Sequence, residues 1–168
     1  MNSHAPATLP NTSQLIGLVV SVIICFAASG VGALFTYPAI RDGWYDALNK
    51  PAWTPPAWVF GPAWTLLYLM MAVAAWLVWR QRGFAGARLP LALFLVQLAL
   101  NALWSFLFFG LKRPGLALVE IMFLWLAIFA TMMWFWRVSH PAGWLLWPYL
   151  LWVTFAAFLN LAIWRLNH

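Results

Sequence analysis

Five long apolar stretches, each about 20 residues and almost without charge, constrain this chain more than any other feature. They cover residues 15–34, 57–79, 89–111, 114–136 and 144–164. A helix needs about 20 apolar residues to cross the ~30 Å hydrocarbon core of a bilayer. In lipid, every backbone amide must be hydrogen-bonded within its own segment or in a closed barrel, and a barrel would show short alternating strands. We therefore predict an all-α membrane protein, a bundle of five transmembrane helices.

The composition agrees with a chain that is solvated by lipid. Hydrophobic residues make up 65% of the 168 residues, charged residues make up 7%, and the mean hydropathy is +0.85. Residues 1–14 contain no Lys or Arg, so they predict a flexible tail rather than a signal peptide, and residues 15–168 are expected to form one domain. The net charge of +6 predicts contact with lipid head groups and no binding of nucleic acid.

Residues that usually carry enzyme chemistry are scarce. Cys25 is the only cysteine, and His4, His140 and His168 show no metal-ligand spacing. Neither a glycine-rich phosphate loop nor a Ser/His/Asp set is apparent. We therefore expect no metal site and no required cofactor, and binding or transport is favoured over soluble-type catalysis.

Tryptophans and polar residues lie deep within several spans. Each of four tryptophans is about seven or more residues from the nearer end of its span, or roughly 10 Å deep, and these are Trp64, Trp104, Trp125 and Trp152. An indole N–H at that depth needs a partner or a ligand. Three helical stripes contain most of these rings, namely Trp64, Tyr68 and Met71; Gln97, Asn101, Trp104, Ser105 and Phe108; and Tyr149, Trp152, Ala156 and Asn160. Converging aromatic stripes favour a cavity, although amides also hold helices together in ordinary bundles.

Glu120 is the only acid within a span. A carboxyl group in a membrane is by default a functional candidate, here a possible proton site, and the alternative is a buried residue that stabilises packing. Its candidate partners are Asn101, Ser105, Lys112 and Arg113.

The connection at 36–56 is the longest between spans and is rich in Trp, Tyr and Pro. Pro51, Pro55 and Pro56 stiffen it, and Pro56 suits the first turn of a helix. This composition predicts either a lid that folds over the mouth of the bundle or an interfacial cap without a ligand.

Three ordered motifs resemble the translocator protein family, also called tryptophan-rich sensory proteins or peripheral-type benzodiazepine receptors. They are WYDALNKPAWTPPAWVFGPAW at 44–64, QLALNALW at 97–104 and PYLLWVTFAAFLN at 148–160. The resemblance extends essentially from Trp44 to the C-terminus, while the first span matches only as an apolar segment. It implies a five-helix bundle, commonly a homodimer, in which the loop between the first two helices closes a hydrophobic pocket.

Members of this family bind porphyrins such as protoporphyrin IX and synthetic isoquinoline carboxamide or benzodiazepine drugs, and animal members also bind cholesterol. The family pocket corresponds here to Tyr45, Trp53, Trp64, Asn101, Trp152 and Ala156, to which the depth argument adds Trp104. In similar bacterial proteins the tryptophans that match Trp64 and Trp152 are implicated in light-dependent porphyrin breakdown. Because no His or Cys is placed as an axial ligand, we predict free-base porphyrin rather than haem as the ligand.

The last span departs from the sterol motif of animal members. It has Leu161 where that motif has a tyrosine, which argues against sterol binding there and favours a bacterial cell membrane. The leading hypothesis is a tetrapyrrole-binding sensory protein that supports porphyrin transport or light-dependent degradation. One alternative is a secondary transporter of a hydrophobic or tetrapyrrole substrate, although five spans show no inverted repeat. Another is a helix-packing assembly protein with an incidental drug or sterol pocket.

Overall fold

The computed structural model describes residues 11–168 and confirms the five-helix transmembrane bundle. Its helices are α1 (Asn11–Arg41), α2 (Trp44–Ala47), α3 (Ala57–Gly86), α4 (Arg88–Ser105), α5 (Pro114–Val138) and α6 (His140–Leu166). All except the short α2 are long and apolar enough to cross a bilayer, when α4 is counted with the turn that continues it to Gly110. No β-strand occurs in the described part of the chain.

The first helix is longer at both ends than the predicted span of 15–34. It begins at Asn11, so residues 11–14 are helical rather than part of a flexible tail, and residues 1–10 lie outside the described range. It also continues past residue 34 to Arg41 with Pro38 inside it. Proline removes only one backbone donor, and near a helix end the freed carbonyl can reach interfacial water. The connection to the next span is therefore residues 42–56 rather than 36–56.

Prolines mark where the other spans begin. Helices α3 and α5 begin at Ala57 and Pro114, as predicted, directly after or at a proline. Helix α6 begins at His140 rather than at residue 144, because Pro141 occupies its first turn. The segment of α3 that extends to Gly86 is kinked at Gly83, whose φ of 62° and ψ of −176° are not helical and are accessible to glycine without strain.

The third span ends in a π-helical turn. Helix α4 is followed by residues Phe106–Gly110 in this wider conformation, with the Leu111 N–H donating to the Phe106 carbonyl at 2.7 Å. A π-helical turn contains an extra residue and shifts the direction of the side chains after it. It places both Phe108 and Phe109 on the wall of the cavity described below.

The buried core lies mainly where α5 and α6 pack on each other and on α3 and α4. Helix α5 buries residues at helical spacing, including Glu120, Leu124, Ile128 and Phe135. Its opposite face carries exposed apolar side chains such as Phe123, which suits contact with acyl chains. Helix α5 therefore supports the bundle, while α1, α3, α4 and α6 enclose the cavity.

Candidate ligand-binding cavity

A cavity of about 470 Å³ lies between α1, α3, α4 and α6, beneath the connection at 42–56. Pockets for small molecules typically have volumes of about 300–1,000 Å³. Aromatic rings from five segments border this space, namely Tyr37, Tyr45, Phe60, Trp64, Tyr68, Trp104, Phe108, Phe109, Trp152 and Phe155. Small residues leave the room between them, including Gly32 and Ala33 of α1 and Ala156 of α6. The three predicted stripes thus converge on one space through most of their residues, whereas Met71, Gln97 and Tyr149 are buried in the core and do not border it.

Trp64 and Trp152, the two candidate photochemical residues, contact each other on the wall of this cavity. Their ring centroids are 6.4 Å apart with an interplanar angle of 82°, an edge-to-face arrangement. Trp64 also contacts Tyr68 at 5.7 Å, and Trp152 contacts Phe60 at 5.9 Å. Neither indole N–H has a hydrogen-bond partner among residues 11–168. Both donors therefore remain available to a ligand in the cavity.

The other two deep tryptophans do have partners within the protein. The Trp104 N–H donates to Asn160 Oδ1 at 3.1 Å, and the ring stacks on Phe108 at 5.0 Å on the cavity wall. The Trp125 N–H donates to Thr154 Oγ1 at 2.8 Å. Trp125 lies on α5 and does not border the cavity. Trp104 is consequently a wall residue held in place by α6, whereas Trp125 joins α5 to α6.

Asn101 both joins helices and borders the cavity, the two roles that the sequence left open for the amides. Its side-chain oxygen accepts a hydrogen bond from the Tyr68 hydroxyl at 2.5 Å, and its Nδ2 donates to the Tyr149 hydroxyl at 3.0 Å. Asn101 is 5% exposed and borders the cavity. The amide therefore links α3, α4 and α6, and it also places a polar group beside any bound ligand.

Glu120 lies on the packing face of α5 and away from the cavity. It is 6% exposed, and neither carboxylate oxygen has a hydrogen-bond partner in the described part of the chain. Glu120 is therefore not bonded to any of the four partners considered from the sequence, Asn101, Ser105, Lys112 and Arg113. Asn101 is engaged with two tyrosines, and Lys112 pairs with Asp42.

The connection at 42–56 covers the mouth of the cavity, as a lid would. Tyr45 of α2 borders the cavity, and the Trp44 ring lies edge-on to Phe108 at 5.8 Å. Burial, and secondarily the charge of Asp46, raise the pKa of Tyr45. Trp53 does not border the cavity. It is 50% exposed and contacts Phe155, a wall residue, at 5.8 Å.

Three interactions hold this lid closed. Lys112, which follows the π-helical turn with a φ of 55°, forms an ion pair with Asp42 at 2.7 Å. The hydrogen bonds from Lys112 and from the Trp44 backbone N–H lower the pKa of Asp42. Asn49 and Asn167 exchange two hydrogen bonds, both at 2.9 Å, which join the lid to the C-terminal end of α6.

Lys50 stabilises the lid from within. Its ammonium group donates to the carbonyls of Tyr45, Asp46 and Leu48 at 2.6, 3.2 and 3.3 Å. It also lies 4.8 Å from the centre of the Tyr45 ring. The Lys50 ammonium group therefore binds three backbone carbonyls and one aromatic ring of the lid and stabilises the chain between α2 and the proline-rich segment.

Comparison with known proteins places the chain in a family. Residues 21–165 match the TspO/MBR family and include every residue that borders the cavity. A tryptophan-rich sensory protein from Cereibacter sphaeroides is 46% identical over 143 residues, which cover 85% of this chain and 86% of the relative. The tryptophan-rich protein TspO from Chlorobaculum tepidum is 42% identical over 158 residues, which cover 92% and 98% of the two chains.

The human translocator protein is 44% identical over 127 residues, covering 74% of this chain and 75% of its own length. The bacterial relatives are consistent with the bacterial membrane expected from the sequence. The family match covers most of the chain, and five of its helices can span a bilayer. This chain is therefore an integral membrane protein that belongs to the TspO/MBR family.

Proposed function

We propose that the cavity binds a flat, apolar tetrapyrrole of the protoporphyrin type and that the protein is a membrane-embedded sensor or regulator that responds to this ligand. One observation carries the proposal: aromatic rings from the lid and from four helices border a single cavity of about 470 Å³. A macrocycle can stack on indole and phenol faces in such a space. The names of the relatives, sensory protein and translocator protein, support a regulatory role.

The polar groups of the cavity suit a ligand with a few acceptors. Most of its wall is apolar, and the exceptions include the Asn101 amide, the Ser105 hydroxyl and the free N–H groups of Trp64 and Trp152. A small number of placed polar groups fixes the orientation of a ligand in a largely apolar pocket. In this arrangement stacking provides affinity, and the indole and amide donors orient the macrocycle.

A titration with two porphyrins tests the proposal. The described residues that border the cavity include no His, Cys or Met, the side chains that most often ligate haem iron axially. We expect purified protein to bind protoporphyrin IX at least about tenfold more tightly than haem, with cholesterol as an apolar control, measured by quenching of tryptophan fluorescence. Equal affinity for haem, with an absorbance shift typical of axial ligation, would contradict the preference for the free base. Absence of saturable binding of protoporphyrin IX would contradict the function itself.

We also propose that Trp64 and Trp152 take part in light-dependent breakdown of the bound pigment. An excited porphyrin held against an electron-rich indole can take an electron from it, and dissolved dioxygen is the oxidant for the breakdown that follows. The two rings meet at the cavity, and neither has an internal hydrogen bond that would hold its N–H away from a ligand.

Phenylalanine at either position is expected to separate binding from photochemistry. Trp64→Phe and Trp152→Phe keep an aromatic face, so the affinity for protoporphyrin IX should stay within about tenfold, or 1.4 kcal/mol, of the parent value. The loss of porphyrin absorbance under illumination should slow to the rate of free porphyrin in the same detergent. Trp125→Phe is the matched control, because Trp125 is equally deep but lies off the cavity. Unchanged photodegradation in both cavity variants would exclude the photochemical role.

A proton-coupled transporter receives less support. Glu120, the acid that would carry the proton, is buried in the packing face of α5 and does not border the cavity. Transport would require a route from the cavity to this carboxyl group, and no cavity-lining residue comes from α5.

A further inference from the structure

A second space of about 360 Å³ lies between α1, α3 and α4 at the end of the bundle opposite the lid. We call it the distal groove, and its lining residues are Ser13, Ile16, Gly17, Val20, Ser21, Ile24, Ala75, Trp79, Phe84, Leu91, Phe94 and Leu95. All but the two serines are apolar or glycine, and none of them borders the ligand cavity. The groove lies between helices that span the membrane, so an acyl chain from the bilayer can reach it directly.

Trp79 forms part of the wall of the groove. Its ring crosses α1 at Gly17, where a Cβ atom would lie only 2.2 Å from Trp79 Cζ3. The Trp79 N–H is buried and has no hydrogen-bond partner among residues 11–168. One turn away, the Trp76 N–H donates to the Gln14 carbonyl at 2.8 Å and fixes the start of α1 against α3. The Trp79 ring is therefore held in place between α1 and α3 as a fixed wall of the groove.

The end of the bundle that holds this groove carries only positive charge. Arg80, Arg82 and Arg88 lie in the α3–α4 turn region, close in sequence to the lining residues Trp79, Phe84 and Leu91, and the Arg80 guanidinium lies 4.6 Å from the centre of the Trp76 ring. Arg88 is three residues before Leu91 and seven before Leu95, so all three share one face of α4.

No acid is available to neutralise these arginines. The chain contains three acidic residues, of which Asp42 and Asp46 lie in the lid at the opposite end and Glu120 lies in the second turn of α5, which begins at the lid end. The one ion pair among the described residues joins Lys112 to Asp42. The arginines therefore place positive charge without an acidic partner at the end of the bundle that holds the apolar groove.

We propose that the distal groove binds an anionic phospholipid, with an acyl chain between α1, α3 and α4 and the phosphate against Arg80, Arg82 and Arg88. Clustered arginines at a membrane surface attract anionic head groups, and Arg binds phosphate with paired N–H donors. The apolar lining matches a hydrocarbon chain, and Trp79 on its wall directly precedes Arg80 in the sequence. The occupant is a lipid, because the groove lies between membrane-spanning helices and the end of the bundle that holds it lacks any acid that could select a cationic partner.

Lipid retention measured by native mass spectrometry tests the head-group contact. Full-length protein in detergent is titrated with phosphatidylglycerol and with phosphatidylcholine of identical acyl chains. We expect the parent protein to retain one phosphatidylglycerol at least about tenfold more tightly than phosphatidylcholine. Arg82→Gln combined with Arg88→Gln should remove this difference. Arg137→Gln should preserve it, because Arg137 lies at the same end but on α5, against Trp134.

A pair of variants on α1 tests the position of the acyl chain. Val20→Trp fills the groove, whereas Val19→Trp places the same ring on the neighbouring face; both valines are exposed, at 42% and 49%. Val20→Trp should weaken lipid retention by at least about tenfold, and Val19→Trp should not change it. Both variants should still bind protoporphyrin IX as the parent does, which shows that they are folded.

Four results would overturn the proposal. The first is equal retention of the two lipids by the parent protein, and the second is a lipid preference that survives the double arginine variant. The third is equal behaviour of Val19→Trp and Val20→Trp. A change in oligomeric mass with Val20→Trp, without a change in lipid retention, would assign the groove to a second copy of the chain and would also contradict the proposal.

Discussion

Ala156→Trp is expected to lower the affinity for protoporphyrin IX by about 100-fold or more, which corresponds to roughly 2.8 kcal/mol. Ala156 lies one helical turn after Trp152 on α6 and borders the cavity. Around it, the walls cannot yield easily, because Tyr149, Val153 and Leu159 of the same helix are buried in the core. An indole at this position would occupy the space that the macrocycle needs.

Fluorescence titration of the variant with protoporphyrin IX measures this effect. Ala99→Trp is the matched control, since Ala99 is exposed on α4 and borders neither the cavity nor the distal groove. The control should bind as tightly as the parent protein. If Ala156→Trp bound protoporphyrin IX within about twofold of the parent, the ligand would have to bind elsewhere, and the proposed function would lose its structural basis.

Asn101→Ala is expected to lower the free energy of unfolding by about 2–5 kcal/mol. The substitution removes the acceptor of the Tyr68 hydroxyl and the donor to the Tyr149 hydroxyl. Both tyrosines are buried, so each hydroxyl would lose its hydrogen-bond partner within the protein. Unfolding in detergent, followed by circular dichroism, measures the loss.

A double-mutant cycle shows whether the loss comes from these hydrogen bonds. Tyr149→Phe keeps the ring and removes one of the two hydroxyls that depend on Asn101. In the Asn101→Ala background it should cost much less than in the parent protein, because the hydroxyl it removes is already without its partner. Strictly additive losses would show that the hydrogen bond between Asn101 and Tyr149 contributes nothing to stability.

The five spans could be predicted because bilayer thickness imposes a length on every apolar segment. Three walls of the cavity were also predictable, because rings such as Trp64, Trp104 and Trp152 are unusual at that depth and share helical stripes with polar residues. In these segments the residue types and their helical spacing both point to the same face of the helix. The predicted stripes of α3, α4 and α6 could therefore be assigned to one cavity.

The wall formed by α1 was not predicted, because this helix is apolar on all sides and its periodicity selects no face. It borders the cavity through small residues such as Ser29 and Gly32, where a Cβ on Gly32 would lie 3.1 Å from Ser105 Oγ. Phe60 and Phe155 were missed for a related reason. A phenylalanine in a membrane span gives no sign of whether it faces lipid or a cavity.

Contacts between distant parts of the chain were also beyond prediction. Asn49 and Asn167, which join the lid to α6, are 118 positions apart and belong to segments without a shared pattern. The expected partners of Glu120 were inferred from nearness along the chain and along the membrane. In the bundle, Asn101 is already bonded to tyrosines of two other helices, which depth alone does not reveal.

Because the turn at Phe106–Gly110 is π-helical, the shape of the cavity depends on the number of residues in this segment. Phe108 and Phe109 of this turn both border the cavity, and both also contact Trp44 of the lid. In an α-helix each residue is rotated by about 100° from the one before it. Loss of one residue would convert the turn to ordinary helix and rotate the side chains on one side of it by about that angle relative to the other side, so that the contact between wall and lid would change although every aromatic residue was retained.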